Sequence, residues 1–161
     1  TMKILFFISL IINIESSNSS QRGLKYYKSG DYIKAINFFL REKKNKRKFK
    51  NYFYLGHSYS LTNDNESAIK MYEKALEGNF KKSIIYFEMG MSYFLINKSE
   101  KALQNLNLAL KNDPNNISYL INRGSIKYDL GLTKSACRDW IKANILKNDS
   151  IDLELININC N

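Results

Sequence analysis

The chain has 161 residues, 44% of them apolar, with 25 Lys and Arg against 15 Asp and Glu, one His, one Pro and two Cys. That length gives one domain's worth of sequence, enough to bury about 70% of its surface without metals or many disulfides, and the composition excludes a collagen-like or proline-rich chain. A single His, with the two Cys 23 residues apart, leaves no Cys/His cluster at zinc spacing, so no metal is expected; with no phosphate-cradling Gly-rich loop and no nucleophile elbow, no cofactor or small-molecule substrate is expected either.

Residues 1–20 read as an export signal. Met2-Lys3 precedes Ile4-Leu-Phe-Phe-Ile-Ser-Leu-Ile-Ile12, and a small polar run follows, with Ser17 and Ser19 able to occupy the positions before a cleavage. The apolar run is short for a permanent membrane span. Its other reading is an amphipathic or core helix. Cleavage predicts a periplasmic or secreted protein, and retention a membrane-anchored one.

From Gly23 onward the chain repeats. Ala35, Ala68, Ala102 and Ala136 lie 33, 34 and 34 residues apart, each twelve residues after a glycine: Gly23, Gly56, Gly90 and Gly124. Three residues after the glycines stand Tyr26, Tyr59, Tyr93 and, departing from the pattern, Lys127. Four after the alanines stand Phe39, Tyr72, Leu106 and Trp140; seven after, Glu42, Ala75, Ala109 and Ala143, with Glu42 out of line. Pro114 sits twelve after Ala102, where a helix would end. Small residues at Gly and Ala let two antiparallel helices cross closely, and the large residue fills the space beside them. The turns fall at Ser29-Gly30-Asp31, Thr62-Asn63-Asp64-Asn65, Asn97-Lys98-Ser99 and Leu130-Gly131-Leu132-Thr133. Gly30 and Gly131 suit the left-handed position that ends a helix, and Asn63 and Asn97 fill it at some cost.

This pattern resembles the tetratricopeptide repeat (TPR), a helix–turn–helix unit of 34 residues. The resemblance implies an all-α fold, a right-handed superhelical solenoid of antiparallel helix pairs, divided as 16–48, 49–82, 83–116 and 117–150 with a cap over 151–161. Each unit is too small to bury its own apolar face and must stack on its neighbours. The first unit then begins inside the segment read as a signal, a conflict the sequence leaves open.

Between the first two units the cations concentrate: Arg41, Lys43, Lys44, Lys46, Arg47, Lys48 and Lys50 against one Glu. A solvated helix end and loop accounts for them, as does a patch for nucleic acid or another polyanion such as anionic lipid. The 20 Lys, 20 Asn and 19 Ile together suggest that part of this charge reflects AT-rich codons.

In a TPR array the position after each alanine, here Ile36, Ile69, Leu103 and Cys137, faces the next unit. Cys137 would face the capping segment that carries Cys160. Export would oxidise both thiols, so a Cys137–Cys160 disulfide is expected; the alternative is two reduced cysteines, one buried and one frayed. The run around Cys137 with a terminal Cys is similar to the last repeat of exported bacterial TPR proteins.

The resemblance also implies a concave groove lined by the first helices. Carried over residue by residue, it comprises Leu24, Tyr27 and Lys28; Lys50, Phe53, His57, Ser60 and Leu61; Ile84, Phe87, Met91, Phe94 and Leu95; and Ser118, Ile121, Ser125, Tyr128 and Asp129. Its apolar and aromatic middle suits a peptide or helix of a protein partner, while Phe53, Phe87 and Phe94 also suit plain core packing. His57 reads as a groove histidine rather than a catalyst. Some TPR domains hold a C-terminal carboxylate with Lys and Asn, but Ser20, Leu24 and Tyr54 stand at those positions here. A non-enzymatic interaction scaffold is the function expected, and nucleic-acid binding the alternative.

Overall fold

A computed structural model describes residues 19–42, 48–78, 80–147 and 160. Among the described residues the regular secondary structure is all helix, in eight helices: α1 (residues 19–28), α2 (Tyr32–Arg41), α3 (Phe49–Leu61), α4 (Asn65–Leu76), α5 (Lys82–Leu95), α6 (Ser99–Asn112), α7 (Ile117–Asp129) and α8 (Thr133–Lys147). They fall into two compact units, Thr1–Phe80 and Lys81–Asn161. Length alone suggested one domain, but in a chain of repeats compactness is local to neighbouring pairs.

Four turns join the pairs, all built alike. Gly30, Asn63, Asn97 and Gly131 take φ of 79°, 65°, 58° and 76°, the left-handed region expected at these four positions. At each turn two backbone N–H groups reach back into the preceding helix. In the first, Gly30 N–H donates to Tyr27 O at 3.1 Å and Asp31 N–H to Tyr26 O at 3.0 Å; in the last, Gly131 donates to Tyr128 O and Leu132 to Lys127 O, both at 2.8 Å. This pairing satisfies carbonyls that a helix end would leave orphaned. Asp31 and Asp64 then cap the following helices, their Oδ1 accepting from Lys34 N–H at 3.1 Å and Ser67 N–H at 3.0 Å. A fifth left-handed residue, Lys81 at φ 39° before α5, carries no glycine or asparagine signal in the sequence.

Within each pair the glycine admits the large residue of the second helix. A Cβ on Gly23 would lie 2.8 Å from the Phe39 ring and one on Gly56 2.9 Å from the Tyr72 ring, while Gly90 and Gly124 press on Leu106 and Trp140. Ala35, Ala68, Ala102 and Ala136 are fully buried, as are Phe39, Tyr72 and Leu106. In the first unit Ala35, Ile36 and Phe39 of α2 share a core with Leu55 of α3. In the second, Ala102 and Leu106 of α6 meet Ile126 of α7, and Ala109 and Leu110 meet Tyr119, Leu120 and Ala143.

Glu42 and Lys127, the two residues out of pattern, each find a polar partner. Buried Glu42 accepts from Asn51 Nδ2 at 3.0 Å, which also donates to Ser20 Oγ at 2.9 Å. Lys127 Nζ donates to buried Asp139 Oδ2 at 2.7 Å. Cys137 and Cys160 form the expected disulfide, with their Cα atoms 5.7 Å apart.

Candidate interaction surface

In the first unit an aromatic chain links α1 to α3. Tyr27 Oη lies 2.7 Å from His57 Nδ1, and the His57 ring is parallel to Phe53 at 6.0 Å. Tyr27 also packs on Tyr54 at 4.9 Å and edge-on against Tyr32. Burial pushes the His57 pKa below its ordinary value, so the ring is neutral at pH 7 and serves as a packed hydrogen-bonding group. Phe53 is buried, touching Tyr72 and Phe80. Lys28 and Lys50 are exposed, and Leu61, at the end of α3, is 45% exposed.

In the second unit Phe87 stacks on Tyr119 with centroids 4.7 Å apart and packs on both cores, while Phe94 packs on the Ala102–Leu106–Ile126 cluster. Both therefore serve packing. Met91 is half-buried. Leu95, Ile121 and Tyr128 remain open, at 58%, 45% and 42% exposure, with Ser125 exposed between Ile121 and Tyr128 on α7. Tyr128 leans on Trp140, whose Nε1 donates to Ile121 O at 3.2 Å, so the stripe on α7 stands on the α8 tryptophan.

Of the basic cluster, Arg41, Lys48 and Lys50 are exposed; Lys43, Lys44, Lys46 and Arg47 lie outside the described residues. The proposed signal lies there too, except Ser19 and Ser20, which belong to α1, and the proposed cap is described only at Cys160.

Some polar groups escaped the sequence reading. Asp139 takes two bonds from Arg123 (Nε to Oδ2 at 2.7 Å, Nη2 to Oδ1 at 2.6 Å) besides the Lys127 bond. Burial pushes its carboxyl up, but the Arg123 and Lys127 hydrogen bonds outweigh that and hold it below the usual carboxylate range. Glu88, mostly enclosed in α5, is pushed up to about 7 by burial. Among the described residues no three His, Cys, Asp or Glu converge as metal ligands, and no helix is long and apolar enough to cross a membrane.

Residues 49–82 and 83–116 each match the family of the tetratricopeptide repeat. No curated protein matches the chain significantly. Among solved structures, the chain is similar to a crystal structure of MamA at 19% identity, with a TM-score of 0.78 over 83% of this chain and 78% of that one. It is also similar to residues 41 to the end of MamA from Desulfovibrio magneticus RS-1, at 20% identity and a TM-score of 0.78, over 85% of this chain and 78% of that one. These likenesses concern the fold. The chain thus carries two tetratricopeptide repeats, at residues 49–82 and 83–116, in an all-helical fold similar to that of these structures.

Proposed function

We propose that this protein is a non-enzymatic, exported scaffold that binds a peptide or helix of a protein partner along the first helices of its repeats. The observation that carries the reading is the exposure of large apolar side chains at groove positions, Leu61 in one unit and Leu95, Ile121 and Tyr128 in the other. Exposed apolar groups aligned along helices are a hallmark of binding surfaces. Export draws support from the Cys137–Cys160 bridge, since such bonds persist in oxidising compartments.

Photo-crosslinking in the native cells tests the groove. A crosslinking side chain at Leu61, Ile121 or Tyr128 is expected to trap one recurring partner, while the same group at Lys70 or Lys111 traps none. Equal or absent adducts at both sets would remove the assignment. The intact mass from those cells tests export. A chain short by about twenty residues, and two mass units heavier after reduction, is the expected result; a full-length, reduced chain would refute it.

A further inference from the structure

Arg22 precedes Gly23, and the same register before the other glycines holds Leu55, Met89 and Arg123. Two of these show what that position faces within a unit. Leu55 of α3 is buried against Ala35, Ile36 and Phe39 of α2, and Arg123 of α7 donates from Nη1 to Asn107 Oδ1 of α6 at 2.8 Å. In both, the residue before the glycine meets the second helix of the preceding pair. Arg123 is then held by Asp139, three residues after its repeat alanine.

The first pair differs at both places. Its residue three after the alanine is Phe38, which offers a ring instead of a carboxylate. The Arg22 guanidinium lies 4.7 Å from the centre of that ring and the Arg41 guanidinium 5.0 Å, so the two cations share one phenyl group. Tyr26 stacks on Phe38 at 5.2 Å, and Lys34 sits over Tyr26 at 5.5 Å. Among the described residues neither guanidinium has a hydrogen-bond or ion-pair partner, and both are exposed. A guanidinium stacked on a ring keeps its N–H fork free for a planar carboxylate. Residues 19–50 carry eleven Lys and Arg against two acids, so the surroundings favour an anionic visitor.

We propose that the α1–α2 face bearing Arg22, Tyr26, Phe38 and Arg41 docks an acidic amphipathic helix of a partner protein. Its carboxylates occupy the Arg22 and Arg41 forks, and its apolar residues cover Phe38 and Tyr26. The occupant is a helix, because a helix is what Leu55 and Arg123 face from the same position. The lone guanidinium pair makes it acidic. This site is separate from the groove above and stands or falls independently of it.

The test uses the full chain and a fluorescent, end-capped alanine-based helix carrying Leu and Glu on one face. Arg22→Gln with Arg41→Gln is expected to weaken binding about tenfold or more, whereas Lys70→Gln with Lys111→Gln, the same charge loss elsewhere, changes it less than about twofold. Arg22→Glu with Arg41→Glu should reject the Glu helix and bind its Lys counterpart. Circular dichroism should show the same helical signal in every variant. Loss of binding shared equally by the control pair, or failure of the charge swap, overturns the proposal. So does a wild-type chain that ignores the Glu helix or binds an oligothymidylate of equal charge more tightly through the same arginines. Concentration-dependent self-association abolished by the Arg22 and Arg41 changes would give the face to a second copy and overturn it likewise.

Discussion

Ser58 and Ser92 occupy the same register, two residues after their glycines, and both are fully buried. Ser58 Oγ donates to Tyr54 O at 2.7 Å, whereas Ser92 Oγ has no hydrogen-bond partner among the described residues. A buried hydroxyl without a partner costs about 1–3 kcal/mol. Ser92→Ala is therefore expected to leave stability unchanged or raise it by about 1 kcal/mol, and Ser58→Ala to lower it, as read by urea denaturation. Glu88 makes a second residue-scale prediction. Its folded pKa, about 7, stands above the ordinary 4.5, so the unfolded chain binds fewer protons between those values. Stability contributed by this group falls as pH rises through that window, by on the order of 3 kcal/mol at most. Glu88→Gln should accordingly raise the unfolding midpoint at pH 8 and leave it nearly unchanged near pH 4. An equal effect at both would show that burial is not what shifts the group.

At the scale of elements, helix pairing depends on the turns and the glycine crossings. Asn97 holds a left-handed φ that glycine adopts without strain. Asn97→Gly should stabilise by about 0.5–1 kcal/mol and Asn97→Val should destabilise. Gly56→Ala adds helix propensity worth about 1 kcal/mol, yet its Cβ meets the fully buried Tyr72 ring. Overpacking of about 1–3 kcal/mol outweighs that gain, and thermal unfolding should shift downward. These features were legible in the sequence because a turn residue or a close crossing imposes its own amino acid. The polar pairs were not. Lys127 stood out as a departure from Tyr, but its partner Asp139 sits on the other helix at a position where the other repeats carry Phe38, Met71 and Asn105, so no repeated residue type announced it. Arg22 was illegible for the same reason: the residue before the glycine is basic in the first and fourth repeats and apolar in the two between, and only the contacts show what it faces. Among the groove residues, the sequence placed Phe87 and Phe94 on first helices, but which aromatic residues remain open depends on neighbouring side chains that periodicity does not encode.

Across the whole molecule, charge and covalent linkage act beyond any one helix pair. Residues 19–50 hold most of the net positive charge, so association with an anionic partner should weaken with salt while an apolar groove contact should not. The disulfide closes a sequence separation of 23 residues. By the loop-entropy estimate it contributes about 3 kcal/mol, and Cys137→Ser with Cys160→Ser should lower stability by that order in guanidinium titrations.

The same bond decides what a protease can remove. No Lys or Arg stands between Lys147 and Cys160. A tryptic cut after Lys147 severs the backbone, yet the stretch that follows it through Cys160 stays fastened through sulfur to α8. On a gel run without reductant the nicked protein migrates as if whole, and only reduction frees the peptide. The molecule can thus lose main-chain continuity just after α8 and still carry the residues beyond the cut.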